Sequence, residues 1–129
     1  MLSAAAAALL TAVMTVAAAN ADTNITTQTS TELVTSSAGN IVIDASGAVN
    51  ITKNNVAAIT INSSNVVSNN GAISNTGTTG ALGVIIDTTN GNLVSSFTST
   101  GNIDLGGNGT DKRGIVIQGG KTFYGPINL

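Results

Sequence analysis

Few side chains in this chain can do chemistry, and their types restrict which chemistry. There is no histidine and no cysteine, and only ten of the 129 residues are charged. A Ser-His or Cys-His nucleophilic pair is therefore excluded, and so are imidazole or thiolate metal sites. Polysaccharide lyases and hydrolases of the β-helical type need clustered carboxylates, often with calcium and an Arg or Lys base. Here Asp44, Asp87, Asp104 and Asp111 fall singly along the chain. Asp87 and Asp104 can neighbour each other across a groove, but nothing in the sequence requires it. The chain reads as a non-enzyme without a cofactor, with no catalytic, cofactor-binding or metal-ligating residues assigned.

The sharpest local motif is Gly106-Gly107-Asn108-Gly109-Thr110-Asp111. It matches the first six positions of a calcium-binding nonapeptide in which glycines turn backbone carbonyls inward and Asp adds charge for a hard cation. Such sites form between tandem copies. This chain has one copy, and Arg113 stands where a large apolar residue belongs, so the expectation is a Gly-rich connection and no calcium site. Asp111-Lys112-Arg113 reads as a solvated loop. The Asn-x-Ser/Thr sequences at Asn24, Asn50, Asn62 and Asn108 are what chance supplies in an Asn- and Thr-rich chain. A net charge of −2, with only Phe97, Phe123 and Tyr124 aromatic, gives neither a basic footprint nor stacking platforms, and excludes nucleic acid as a partner.

The elements that carry these residues begin after an apolar leader. Residues 2–19 carry no charge and are dominated by Ala, Leu and Val, and Ala19-Asn20-Ala21 gives the small-x-small pattern of a signal peptidase site ahead of Asp22. No Lys or Arg precedes the apolar run. The expectation is a signal helix over 1–21, cleaved between Ala21 and Asp22, and an exported product.

Beyond it, Val, Ile and Thr favour strands while Asn and Gly favour tight turns. Residues 22–38 are Thr/Ser-rich and read as a lead-in or cap. After Gly39, period-two apolar pairs appear at Ile41/Ile43, Val49/Ile51 and Ile59/Ile61, and further clusters recur every 6 to 12 residues between Gly- and Asn-rich turns. Three stretches align, starting at Ala58, Gly83 and Gly114. The first runs on to Val66-Val67 and Ala72-Ile73, the second to Leu93-Val94 and Asn102-Ile103, and the third to Phe123 and Pro126-Ile127. Matched segments at one spacing point to a solenoid, in which apolar side chains stack in columns. The expected fold is all-β, a right-handed parallel β-helix of about four coils over 39–129, with Asn and Thr at bends paired to equivalents one coil away.

Ser36-Ser37-Ala38-Gly39-Asn40-Ile41-Val42-Ile43, the run from Ala57 to Ile73, and Asp111-Lys112-Arg113-Gly114-Ile115-Val116-Ile117 together resemble the N-terminal passenger region of autotransporters, the type V secretion proteins, of alphaproteobacterial type. The resemblance implies an adhesin-like segment displayed outside a Gram-negative cell, at the outer membrane or secreted. It also implies a C-terminal outer-membrane β-barrel translocator as partner. A barrel needs at least eight strands with aromatic girdles, which these residues do not supply. A fragment, a truncated gene product and a free-standing solenoid are then the alternatives. A solenoid module binding glycan or a host surface through exposed Thr/Asn rows is the second functional reading. Tyr124 to Leu129 ends in strand alternation without a cap, so self-association through that end is expected.

Overall fold

A computed structural model describes residues 20–129. Residues 1–19, and with them the expected signal helix and Ala19 of the cleavage site, lie outside the described residues; Ala21 and Asp22 are exposed at their start. The described chain is all-β, with fifteen short strands and one four-residue helix, α1 (Thr35–Ala38). No helix among the described residues is long and apolar enough to cross a membrane.

The chain passes through the same three parallel sheets again and again. The first pass is β1 (Thr23–Ile25), β2 (Gln28–Thr29) and β3 (Leu33–Val34), followed by α1. The second is β4 (Ile41–Ile43), β5 (Ala48–Ile51) and β6 (Ala57–Ile61). The third is β7 (Val67–Asn69), β8 (Ala72–Asn75) and β9 (Leu82–Asp87), after which β10 (Leu93–Val94) is added. The fourth is β11 (Phe97–Ser99), β12 (Asn102–Asp104) and β13 (Arg113–Gln118), with β14 (Phe123–Tyr124) added, and β15 (Ile127–Asn128) returns to the first sheet. The first sheet runs β1-β4-β7-β11-β15, the second β2-β5-β8-β12 and the third β3-β6-β9-β13. β10 and β14 pair by themselves. Every pairing is parallel.

Parallel register turns period-two sequence into columns, because equivalent residues of neighbouring strands point the same way. Ile41, Val67, Phe97 and Ile127 stack in the first sheet. Val49, Ile73 and Ile103 stack in the second, and Ile59, Val84 and Ile115 in the third. Ile41, Val49, Ile59, Ile73, Val84 and Phe97 are fully buried. Each such side chain contributes about 1.5–3 kcal/mol on leaving water. The columns thin out in the fourth pass, where Ile103 and Ile115 are half-buried and Ile117 is exposed.

The starts at Ala58, Gly83 and Gly114 hold in the structure, since Ile59 lies opposite Val84 and Val84 opposite Ile115. Two alignments do not. Val67 lies opposite Phe97, not Val94, and Ile127 lies opposite Phe97, not in the column of Ile73. Leu93-Val94 has no second-pass counterpart and pairs with Phe123-Tyr124. The cause is a longer connection after β9, which inserts an apolar pair that resembles the Val66-Val67 of the shorter connection. Strands also begin at Thr23, ahead of the Gly39 boundary: β1, β2 and β3 each pair with the pass that follows. Their inward apolar residues are only Ile25 and Leu33. Backbone ladders hold these strands without a strong side-chain pattern to announce them.

The bends are set by glycine and by buried polar side chains. Gly47, Gly71 and Gly101 each precede residues paired in one register, Ala48, Ala72 and Asn102. A Cβ on Gly71 would overlap the carbonyl oxygens of Gly47 and Asp44, and one on Gly101 would overlap that of Gly71. Backbones of successive passes therefore approach closely enough here that no side chain fits between them. Side-chain rungs join neighbouring passes as well: Ser74 to Asn50 at 2.7 Å, Thr52 to Thr76 at 2.8 Å, Asn69 to Ser99 at 2.9 Å and Thr100 to Asn70 at 3.0 Å. These rungs use hydroxyls against amides or against each other, not the like-amide ladders of stacked sheets.

Candidate functional site

The Gly106–Asp111 motif lies in the connection from β12 to β13, and it is seated on the preceding pass. Thr110 N donates to Thr78 O at 3.1 Å, and Gly80 N donates to Thr110 O at 3.0 Å. Gly109 faces Thr78 O so closely that a Cβ would overlap it. Gly107 has φ 81° and Asp111 φ 55°, so the loop turns its carbonyls inward as the motif suggests. What they meet is Lys112. Its ammonium donates to Gly106 O at 2.6 Å, Leu105 O at 3.0 Å and Gly107 O at 3.3 Å. The Asp104 carboxylate borders Gly106.

A lysine ammonium is a compact cation with three donors. Placed among three converging carbonyls, it supplies the positive charge and the directional bonds that a metal would otherwise provide. Lys112 thus leaves the solvated loop in which its sequence neighbours placed it and becomes the tether of the Gly-rich connection. The signal that could have found it is its position: a lysine just past the motif, with a stem long enough to fold back over five to seven residues.

This geometry gives a direct expectation. Thermal unfolding is the same with and without millimolar calcium, because the carbonyls are already engaged. Lys112→Met keeps the apolar stem and removes the donors. It lowers stability by about 1–2 kcal/mol, the range for hydrogen bonds to a charged group at a partly exposed site. Calcium that stabilises the unaltered protein by about 2.7 kcal/mol would mark binding near 100 times its dissociation constant and would overturn the tether.

The remaining acids do not gather. Asp87 ends β9 in the third sheet and Asp104 ends β12 in the second. No group of three His, Cys, Asp or Glu residues among the described residues can hold a metal ion. Asp87 accepts a hydrogen bond from Thr89 N at 2.9 Å. The Thr89 hydroxyl and backbone amide, with a smaller contribution from Gln118, hold its carboxyl below the usual carboxylate range against a slight opposing effect of burial. Stability linked to Asp87 is therefore full above the unfolded carboxylate value and is lost as pH falls through the lower folded value.

Asp111 belongs to a second column. Asn55, Gly80 and Asp111 each lie two residues before the paired Ala57, Leu82 and Arg113, and they share φ of 55°, 59° and 55°. Asn, Gly and Asp are the residues that adopt this left-handed conformation at least cost. The column lines a shallow depression of about 290 Å³, with Arg113 at its edge. Asp22 accepts a hydrogen bond from Asn40 N at 3.1 Å, which fixes the first residue after the expected cleavage site beside the start of β4.

No protein-family model matches the chain, and neither a curated protein nor a solved structure matches it.

Proposed function

We propose that residues 22–129 form a structural display segment of an exported, adhesin-like autotransporter passenger, built as a right-handed parallel β-helix of about four coils. The observation that carries this reading is the repeated passage of one chain through three parallel sheets, with isoleucine and valine columns in register. Stacking of this kind extends along one axis and contacts only neighbouring passes, which suits a stalk that holds something away from a surface. The apolar leader and the Ala19-Asn20-Ala21 boundary support export. In this reading the partner is an outer-membrane barrel translocator. The outer edges of β12, β13 and β15 are where further strands, or a second copy, would pair.

The test is to place residues 1–129 in frame ahead of an autotransporter barrel in a Gram-negative host. The displayed product is expected to begin at Asp22 or within a few residues of it, and to be cut by protease added to intact cells. A full-length product retained in the inner membrane would sink the export claim. A processed product that stays protected in the periplasm would sink the display claim.

A further inference from the structure

The longer connection after β9 builds a cleft where the shorter one after β6 passes beneath it. The cleft encloses about 330 Å³. One wall comes from the 62–64 turn and the other from Asp87 and the 90–92 turn, with Leu93 and Val94 between them. We propose that this cleft binds a neutral oligosaccharide.

Its planar polar groups are held in place from the neighbouring passes. Asn62 Oδ1 accepts from Ser36 N at 3.0 Å, and Asn92 Oδ1 accepts from Thr122 N at 3.1 Å. Each amide plane is thereby fixed, and neither Nδ2 has a hydrogen-bond partner among the described residues. Asp87 is fixed in the same way through Thr89 N, with the Thr89 hydroxyl and Gln118 beside its carboxylate, and it brings acceptor oxygens to the cleft wall. Amides and carboxylates that present paired donors and acceptors on a rigid backbone match vicinal hydroxyls, and groups held beforehand lose little freedom on binding. Beside them Val94 is 65% exposed, and Tyr124, its register partner, is 54% exposed. This gives an apolar strip of the kind on which the C–H face of a sugar ring packs. No cation lines the cleft. With Asp87 as its one charge, it disfavours phosphate, sulfate and uronate groups, which need a positive partner. The inference does not rest on the display reading: a stalk without a ligand and a binding module without a barrel give different outcomes in the two experiments.

Tyr124 is the only tyrosine and there is no tryptophan, so intrinsic fluorescence reports on this strip alone. The experiment titrates the full chain with maltohexaose, cellohexaose, mannohexaose and, as the charged comparison, hexagalacturonate. At least one neutral hexaose is expected to change Tyr124 emission saturably. Asp87→Ala and Asn90→Ala are each expected to weaken that binding about tenfold, the loss of one good hydrogen bond. Asn90 lines the cleft and is exposed, and its variant is expected to melt as the parent does, so weakened binding there cannot be ascribed to unfolding. Failure of all three neutral hexaoses to bind overturns the proposal. So does equal binding of hexagalacturonate, and so does parental affinity in both variants.

Discussion

Gly71→Ala is expected to lower the melting temperature by about 10 °C or more, corresponding to about 3 kcal/mol of overpacking in a domain of this size. The methyl group added is small, but both atoms it meets are backbone carbonyl oxygens, those of Gly47 and Asp44, and the Ile43 side chain closes the third direction. A flexible side chain can turn aside; two carbonyls fixed in a ladder cannot. To admit the methyl group, the second and third passes must move apart, which loosens β5 from β8 and β4 from β7 together. Gly114→Ala is the control. Nothing lies within contact of a Cβ there, its backbone needs no left-handed conformation, and Ala58 already occupies the equivalent place two passes earlier. Circular dichroism melts of the two variants check this: a Gly71→Ala protein that melts with Gly114→Ala would mean that the passes are not so closely apposed.

Asn75→Ile is expected to destabilise by about 3 kcal/mol, although isoleucine is the more apolar residue and the site is fully buried. The same column holds Ile51 one pass earlier, so the shape is acceptable. What is lost is a clamp. Asn75 Oδ1 accepts from Gly77 N at 3.0 Å and Lys53 N at 3.1 Å, and its Nδ2 donates to Val56 O at 2.8 Å and Leu82 O at 3.4 Å. One side chain thus satisfies backbone groups of two connections and ties the second pass to the third. Removing it takes the acceptor from Lys53 N and Gly77 N, at about 1–3 kcal/mol for each group that stays buried, while Val56 O keeps Leu82 N. Hydrogen exchange should show the amides of Lys53 and Gly77 losing protection before those of Ile59 or Val84. Uniform loss across the chain would argue for a general packing defect instead.

The strand content and the register of the third sheet were legible because β-branched residues at period two leave one strong pattern, and Ala58, Gly83 and Gly114 mark equivalent positions in it. Ala72-Ile73 and Asn102-Ile103 were aligned correctly for the same reason. The reading failed where the pattern was ambiguous or absent. Leu93-Val94 imitates Val66-Val67 in composition, and only the backbone pairing shows that it has no second-pass equivalent. β1, β2 and β3 fall in the stretch read only as a lead-in or cap, because ladder hydrogen bonds need no particular side chain. Of the candidate site, the inward-turning glycines were visible. The identity of the cation was not, because a lysine folding back on its own loop leaves no periodic trace. The left-handed column of Asn55, Gly80 and Asp111 was invisible too, since three different residue types occupy it.

Register has a consequence for how such a chain changes over generations. Because Phe97 lies opposite Val67, residues 67–96 make up one full repeat of the passage through the sheets. Their in-frame loss would join Val66 to Phe97, which then takes the place Val67 vacated. Duplication of the same stretch would insert one such repeat without shifting the register of any other. If the chain is the display segment proposed above, recombination between similar gene segments would lengthen or shorten it in whole steps, and reach would become a heritable trait that varies while the architecture does not.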